Sequence, residues 1–179
     1  FRDGAGPTTT TTSSTSTKTT TTSTKTSTTT SAPTSTATGS LIRWNPQQNL
    51  CASATGPYNG APVTLQSCSN DNDGLHWTLQ SNGLLSTFGG FYCLDDPSGG
   101  GDGTKLQVWT CKSDKDRPNP YSPIPNQEWI INGGKLITLD GTQLCVDNTD
   151  GKAAAGNPLQ VYTCNNGPNQ QFISDQWSS

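Results

Sequence analysis

Of the 179 residues, the first forty hold almost nothing that could be buried, so a core has to form within 41–179. Six cysteines, no methionine and no apolar run long enough to span a bilayer speak against membrane insertion and for an oxidising, extracellular compartment. Residues 41–179 carry seven basic against twelve acidic side chains, a net charge of −5, so the cationic footprint that nucleic acid or anionic lipid requires is absent.

The chain opens at Phe1 without an apolar signal region, which reads as a mature or excised fragment, with Phe1–Pro7 as the tail of an upstream domain. From Thr8 to Ser40, 27 of 33 residues are Ser or Thr. Such a segment cannot offset its ordering entropy by burial, so residues 1–40 are expected to be a disordered, O-glycosylated linker. No Asn-x-Ser/Thr sequon occurs, so N-linked glycan is not expected.

Beyond Ser40 the cysteines reveal a repeat. Cys51 and Cys93 lie 42 apart and Cys93 and Cys145 lie 52 apart, but the excess is local: Cys68 to Trp77 is 9 residues, whereas Cys111 to Trp129 is 18. Trp77 to Cys93 and Trp129 to Cys145 are both 16. Three copies of one unit follow, at about 41–83, 84–133 and 134–179, the second lengthened by an insertion. Each reads as a short strand ending at its first cysteine, a Gly/Asp/Asn-rich turn, a strand ending at its second, and a closing aromatic: Trp77, Trp129 and Phe172. Among fifteen connectivities the repeat selects Cys51–Cys68, Cys93–Cys111 and Cys145–Cys164.

The strands before the second cysteines are the informative ones, because side chains alternate between faces. Leu106 and Val108 share one face while Gln107 and Trp109 share the other; Leu159 and Val161 oppose Gln160 and Tyr162 in the same way. Aspartates stand two positions after the first cysteines, at Asp95 and Asp147, and Asn126-Gln127 and Asn169-Gln170 precede the closing aromatics. This pattern of Cys-x-Asp, Gln-x-aromatic-x-Cys and Asn-Gln-x-aromatic resembles the ricin B-type lectins, over residues 41–179.

The resemblance implies an all-β fold, a β-trefoil of three pseudo-symmetric repeats, and non-catalytic carbohydrate binding without a cofactor. It implies that the carboxylate accepts hydrogen bonds from sugar hydroxyls, the aromatic stacks on the ring and the asparagine donates to a hydroxyl. The expected binding residues are Asp95, Gln107, Trp109, Asn126 and Gln127 in the second unit, and Asp147, Gln160, Tyr162, Asn169 and Gln170 in the third. In the first unit Ser53, Thr64, Gln66 and Gly74-Leu75 replace them, so its fold is expected to survive without its pocket. The third site is expected to bind, and the second to bind more weakly or differently, because the insertion Lys112–Pro125 stands beside it.

Other chemistries lack their parts. His76, the one histidine, has no marked nucleophile nearby in sequence, Asp71-Asn72-Asp73-Gly74 lacks the ligands that complete a calcium loop, and Gly99–Lys105 lacks the phosphate-loop pattern and reads as a hairpin turn beside the second pocket. The expected partners are glycans or polysaccharide, with an upstream catalytic domain in the same chain that the module would target. The competing reading is a trefoil that binds proteins or inhibits proteases through its loops, above all Ser113–Pro125.

Overall fold

The computed structural model describes residues 1, 4, 6, 38–69 and 72–177, and the expected linker falls almost wholly outside them. The chain divides into two units, Phe1–Ala32 and Pro33–Ser179, and the second holds every strand described below.

Short apolar runs broken by turn residues form thirteen strands among the described residues, taken here in chain order. The first repeat has β1 (Ser40–Leu41), β2 (Arg43–Trp44), β3 (Leu50–Ala54), β4 (Ala61–Ser67) and β5 (His76–Leu79). The second has β6 (Leu85–Thr87), β7 (Tyr92–Asp95), β8 (Gln107–Thr110) and β9 (Trp129–Asn132). The third has β10 (Leu136–Leu139), β11 (Leu144–Asn148), β12 (Leu159–Thr163) and β13 (Phe172–Ile173). No α-helix occurs among the described residues, only short 3-10 turns.

First and fourth strands alternate round a closed six-stranded barrel. β1 pairs with β5, β5 with β6, β9 with β10 and β13 with β2. The remaining joins are the Leu84–Glu128 bridge and the Phe172 N–H to Lys135 carbonyl bond of 2.9 Å. Second and third strands form three hairpins, β3–β4, β7–β8 and β11–β12, that cap one end. Closure removes the open sheet edges, and the whole is a β-trefoil.

The caps meet about a pseudo-threefold axis through equivalent bonds. Gly60 N–H donates to Val108, Gly103 to Val161 and Gly156 to Leu65, at 2.9, 2.9 and 2.7 Å. All three glycines have φ between 84° and 89°, where a side chain is strained, so glycine recurs eight residues before each second cysteine. The core lies along the axis: Val63, Leu65, Leu106, Val108, Leu159 and Val161 are at most 1% exposed. The closing rings sit beneath them, with the indole N–H of Trp77 on the Ala52 carbonyl and that of Trp129 on the Leu94 carbonyl.

The disulfides are Cys51–Cys68, Cys93–Cys111 and Cys145–Cys164, all within single repeats. Each first cysteine is the second residue of its strand rather than its last. The hairpin register explains the difference: Cys51 stands opposite Gln66, so only a cysteine near the open end of the hairpin can reach Cys68, one residue past the partner strand.

Candidate functional site

The face of each cap hairpin turned away from the axis carries the candidate chemistry. On β7, Asp95 pairs across the hairpin with Gln107 of β8, and on β11 Asp147 pairs with Gln160 of β12. Alternation places Trp109 and Tyr162 two residues on, on the same face and 42% and 41% exposed. A large ring left open to solvent beside a buried carboxylate is the unusual feature of both hairpins.

Both carboxylates are held by amides. Asp95 accepts from Gln107 Nε2 at 2.8 Å and from Gln127 Nε2 at 3.1 Å. Asp147 accepts from Gln160 Nε2 at 3.0 Å, and the Gln170 amide lies close enough to favour its charged form. An ionised carboxylate offers about four lone-pair directions, so each retains acceptor capacity for a ligand. Burial pushes the Asp147 carboxyl up from its ordinary value, and the Gln160 and Gln170 amides with the nearby Lys105 charge act in the opposite direction.

Gln127 and Gln170 are wholly buried. Gln127 donates to the Thr110 carbonyl and accepts from the Lys112 N–H at 2.8 Å; Gln170 donates to Thr163 and accepts from Asn165 at the same distance. Both residues, expected among the ligand contacts, thus tie down the chain beyond each second cysteine.

Asn126 and Asn169 are half-buried, each against a left-handed glycine. The Asn126 Oδ1 lies 3.4 Å from where a Cβ on Gly99 would stand, and Asn169 Oδ1 lies 2.6 Å from the same point on Gly151. Asn126 also has φ 67° and accepts the Asp96 N–H through its carbonyl at 3.0 Å, which locks it beside Asp95.

In the second unit these groups line an open cleft of about 400 Å³ formed by Asp95, Pro97, Gln107, Trp109, Lys112 and Asn126. The insertion does not cover it. Lys112 is held by its Nζ on the Pro125 carbonyl at 2.8 Å and borders the cleft, a residue that the repeat pattern does not flag because Asn165 replaces it in the third unit.

The third site takes a residue from its neighbour. The turn Gly99–Lys105 starts beside Asn126, yet its tip reaches the third unit: Asp102 accepts from Thr163, and Lys105 Nζ donates to Thr149 Oγ1 at 2.8 Å and to Gln160 Oε1. The turn thus serves both sites rather than the second alone. Nothing in the repeat announces Lys105, since Pro62 and Pro158 occupy its place elsewhere.

The first unit has closed over its own site. Ser53 turns to the Ala54 carbonyl, Gln66 donates to Thr64, and Leu75 is buried where the others bury glutamine. A Cβ on Gly74 would lie 2.2 Å from the Ala54 carbonyl oxygen, so the turn that carries asparagine in the other units is here pressed onto β3.

Among the described residues, no helix is long and apolar enough to cross a membrane, and no cluster of three or more His, Cys, Asp or Glu could hold a metal ion.

The family model described as the ricin-type beta-trefoil lectin domain matches residues 9–119 and 37–172. The C-half of an earthworm R-type lectin, solved with GalNAc, is 17% identical with a TM-score of 0.60, over 75% of this chain and 95% of that one. The agglutinin from Abrus precatorius is 18% identical with a TM-score of 0.61, over 75% of this chain and 47% of that one. A non-toxic homologue of type II RIPs from Momordica charantia, solved with α-methyl-D-galactoside, is 14% identical with a TM-score of 0.60, over 75% and 46%. The chain therefore spans about half the length of these two plant proteins. No curated protein matches the chain in sequence.

Proposed function

Because the chain belongs to the ricin-type β-trefoil lectin domain family, we propose that it binds carbohydrate, without catalysis, at the second and third repeats. The observation that carries this reading is the repeated constellation of a buried carboxylate held by the glutamine amide opposite it, beneath a half-exposed ring. A carboxylate gives charge-assisted bonds to vicinal hydroxyls and a rigid ring covers the apolar face of a pyranose at little entropic cost. The second-unit contacts are Asp95, Gln107, Trp109 and Asn126, and the third-unit contacts are Asp147, Gln160, Tyr162 and Asn169. Gln127 and Gln170 position the carboxylates.

The structural neighbours solved with GalNAc and α-methyl-D-galactoside support a galactose-type ligand or a polysaccharide containing it. Residues 41–179 then form an extracellular module, and 1–40 an O-glycosylated linker through which it targets an upstream secreted enzyme. Two weak sites on one module gain through effective concentration on a polymer.

A glycan array with the full chain tests the reading, followed by Asp95→Ala and Asp147→Ala variants titrated with the best ligand. Each variant should lose one site, a loss of roughly 1.5–3 kcal/mol per charge-assisted bond. Retention of both sites by the double variant would remove the reading. A protein-binding module is the second reading, favoured by Tyr121, which stands 98% exposed on the insertion. Capture of a deglycosylated partner that depends on Tyr121 would support that reading instead.

A further inference from the structure

We propose that the second-unit cleft continues past Asn126 into a neighbouring cleft built by the insertion, and that the two hold consecutive residues of one carbohydrate chain. The inference rests on the carbohydrate reading of the second unit and adds a subsite to it.

The neighbouring cleft measures about 320 Å³, within the range that small-molecule sites occupy. Asn126 borders both spaces, so the two clefts adjoin at that side chain. Pro123 and Pro125 line the insertion side; the Pro123 ring rests against Gly141 of the turn between β10 and β11, which closes one end, and Pro125 offers rigid hydrocarbon to the apolar face of a pyranose.

The polar groups suit hydroxyls. Asp140 uses one carboxylate oxygen on the Gly141 N–H at 2.7 Å, which leaves the other as an acceptor. Ser122 Oγ accepts from Asn119 Nδ2 at 2.6 Å, which leaves its O–H to donate. A carboxylate, a hydroxyl and apolar ring edges repeat, with different residues, the chemistry of the neighbouring space.

The walls are already fixed. Arg117 bonds Glu128 at 2.6 Å, Asp114 at 3.0 Å and the Ser122 carbonyl at 2.7 Å, while Glu128 also accepts the Ile124 N–H. Ile124 is 1% exposed and packs on Leu84 and the Cys93–Cys111 bridge. A segment so anchored needs little ordering when a ligand arrives. The third unit has only six positions from Cys164 to Gln170 and cannot build the same wall.

The test uses the full chain carrying Asp147→Ala, so that only the second unit reports. Calorimetric titration runs through galactose, galactobiose and galactotriose, and in parallel through xylose, xylobiose and xylotriose. In one series affinity should rise about tenfold or more from monosaccharide to trisaccharide, a gain of about 1.4 kcal/mol. Ser122→Trp, which fills the cleft, should bring that ratio close to one. In the Asp95→Ala protein, which reports only the third unit, the ratio should also stay near one. Monosaccharide binding without a chain-length gain overturns the inference and leaves the carbohydrate reading intact. A gain that survives Ser122→Trp in a folded protein overturns it as well. If Ser122→Trp does not fold, Asp140→Ala is measured in its place, with the same ratio deciding. Failure of every saccharide to bind any variant removes the carbohydrate reading and the inference together.

Discussion

The Lys105 ammonium donates to the Gln160 amide oxygen at 2.5 Å, a bond from the second repeat to the third. With its oxygen engaged, the Gln160 amide must turn its nitrogen to Asp147, where it donates at 3.0 Å. The third carboxylate is therefore oriented by a residue from another repeat, whereas the corresponding neighbour of Gln107 is Pro62.

Replacing Lys105 by Met should weaken the third site about fivefold, roughly 1 kcal/mol once the exposure of the ammonium is allowed for. The affinity of the second site should not change. Calorimetry in the Asp95→Ala background isolates the effect, and the penalty should shrink as salt is raised. Equal affinity with and without the ammonium would remove Lys105 from the site.

Gln127 and Trp109 serve the second site in different ways, which stability separates from binding. Gln127→Ala strands the Lys112 N–H and one bond to Asp95, so it should cost about 1–3 kcal/mol of stability and weaken binding together. Trp109→Ala removes a ring that is 42% exposed, so binding should fall while the unfolding midpoint moves little. Denaturant curves beside titrations decide it; a large stability loss in Trp109→Ala would mean that the ring is structural.

Much of this was legible in the sequence because symmetry repeats the message. Strand alternation in Leu106–Thr110 and Leu159–Thr163 placed Trp109 and Tyr162 away from the core, and the spacing of the cysteines indicated the three bridges. What symmetry does not repeat was hidden. Lys105 and Lys112 occur once each, and the contact of Lys105 with Gln160 crosses a boundary that sequence order gives no reason to cross. The burial of Gln127 and Gln170 was hidden too, since an amide that binds sugar and one that binds backbone leave the same letter in the chain.

Asp96 makes the fold sensitive to pH. It is fully buried, neither carboxylate oxygen has a hydrogen-bond partner by distance and angle, and burial together with the adjacent Asp95 charge raises it to about 6 although the Gly100 amide acts in the opposite sense. In the third repeat the same position is Asn148, which donates to the Lys152 carbonyl and accepts from Asn157. A folded-state value above the unfolded one favours folding while the carboxyl is protonated. That contribution is complete below about 4 and lost as pH rises through about 6. Asp96→Asn should therefore be more stable than the parent at pH 7.5, by up to roughly 3 kcal/mol, with the difference narrowing towards pH 4. Urea midpoints of the two proteins across that range check it, and parallel curves would show that Asp96 is solvated or paired in the fold.

The last prediction concerns restoring the silent repeat. Copying the second unit's residues into the first requires Ser53→Asp, Thr64→Gln, Gln66→Trp, Gly74→Asn and Leu75→Gln. Three of these occupy hairpin positions whose pairing matches the second repeat: Ser53 pairs with Thr64 as Asp95 pairs with Gln107, and Gln66 with Cys51 as Trp109 with Cys93. Gly74 is different, because a Cβ there would stand 2.2 Å from the Ala54 oxygen and 3.1 Å from the Phe88 ring. Its N–H is also drawn to Asn72 Oδ1 at 2.9 Å, which holds the turn against β3. Relief would need backbone movement in both segments, and strain of that kind typically costs 1–3 kcal/mol or more. The graft that keeps Gly74 should fold and still bind two ligands per chain, since the asparagine wall is missing. The complete graft should lose stability without gaining a third site. Differential scanning calorimetry and titration stoichiometry measure the two outcomes. A stable complete graft that binds three ligands would show that sequence alone, and not the closed turn, had silenced the first repeat.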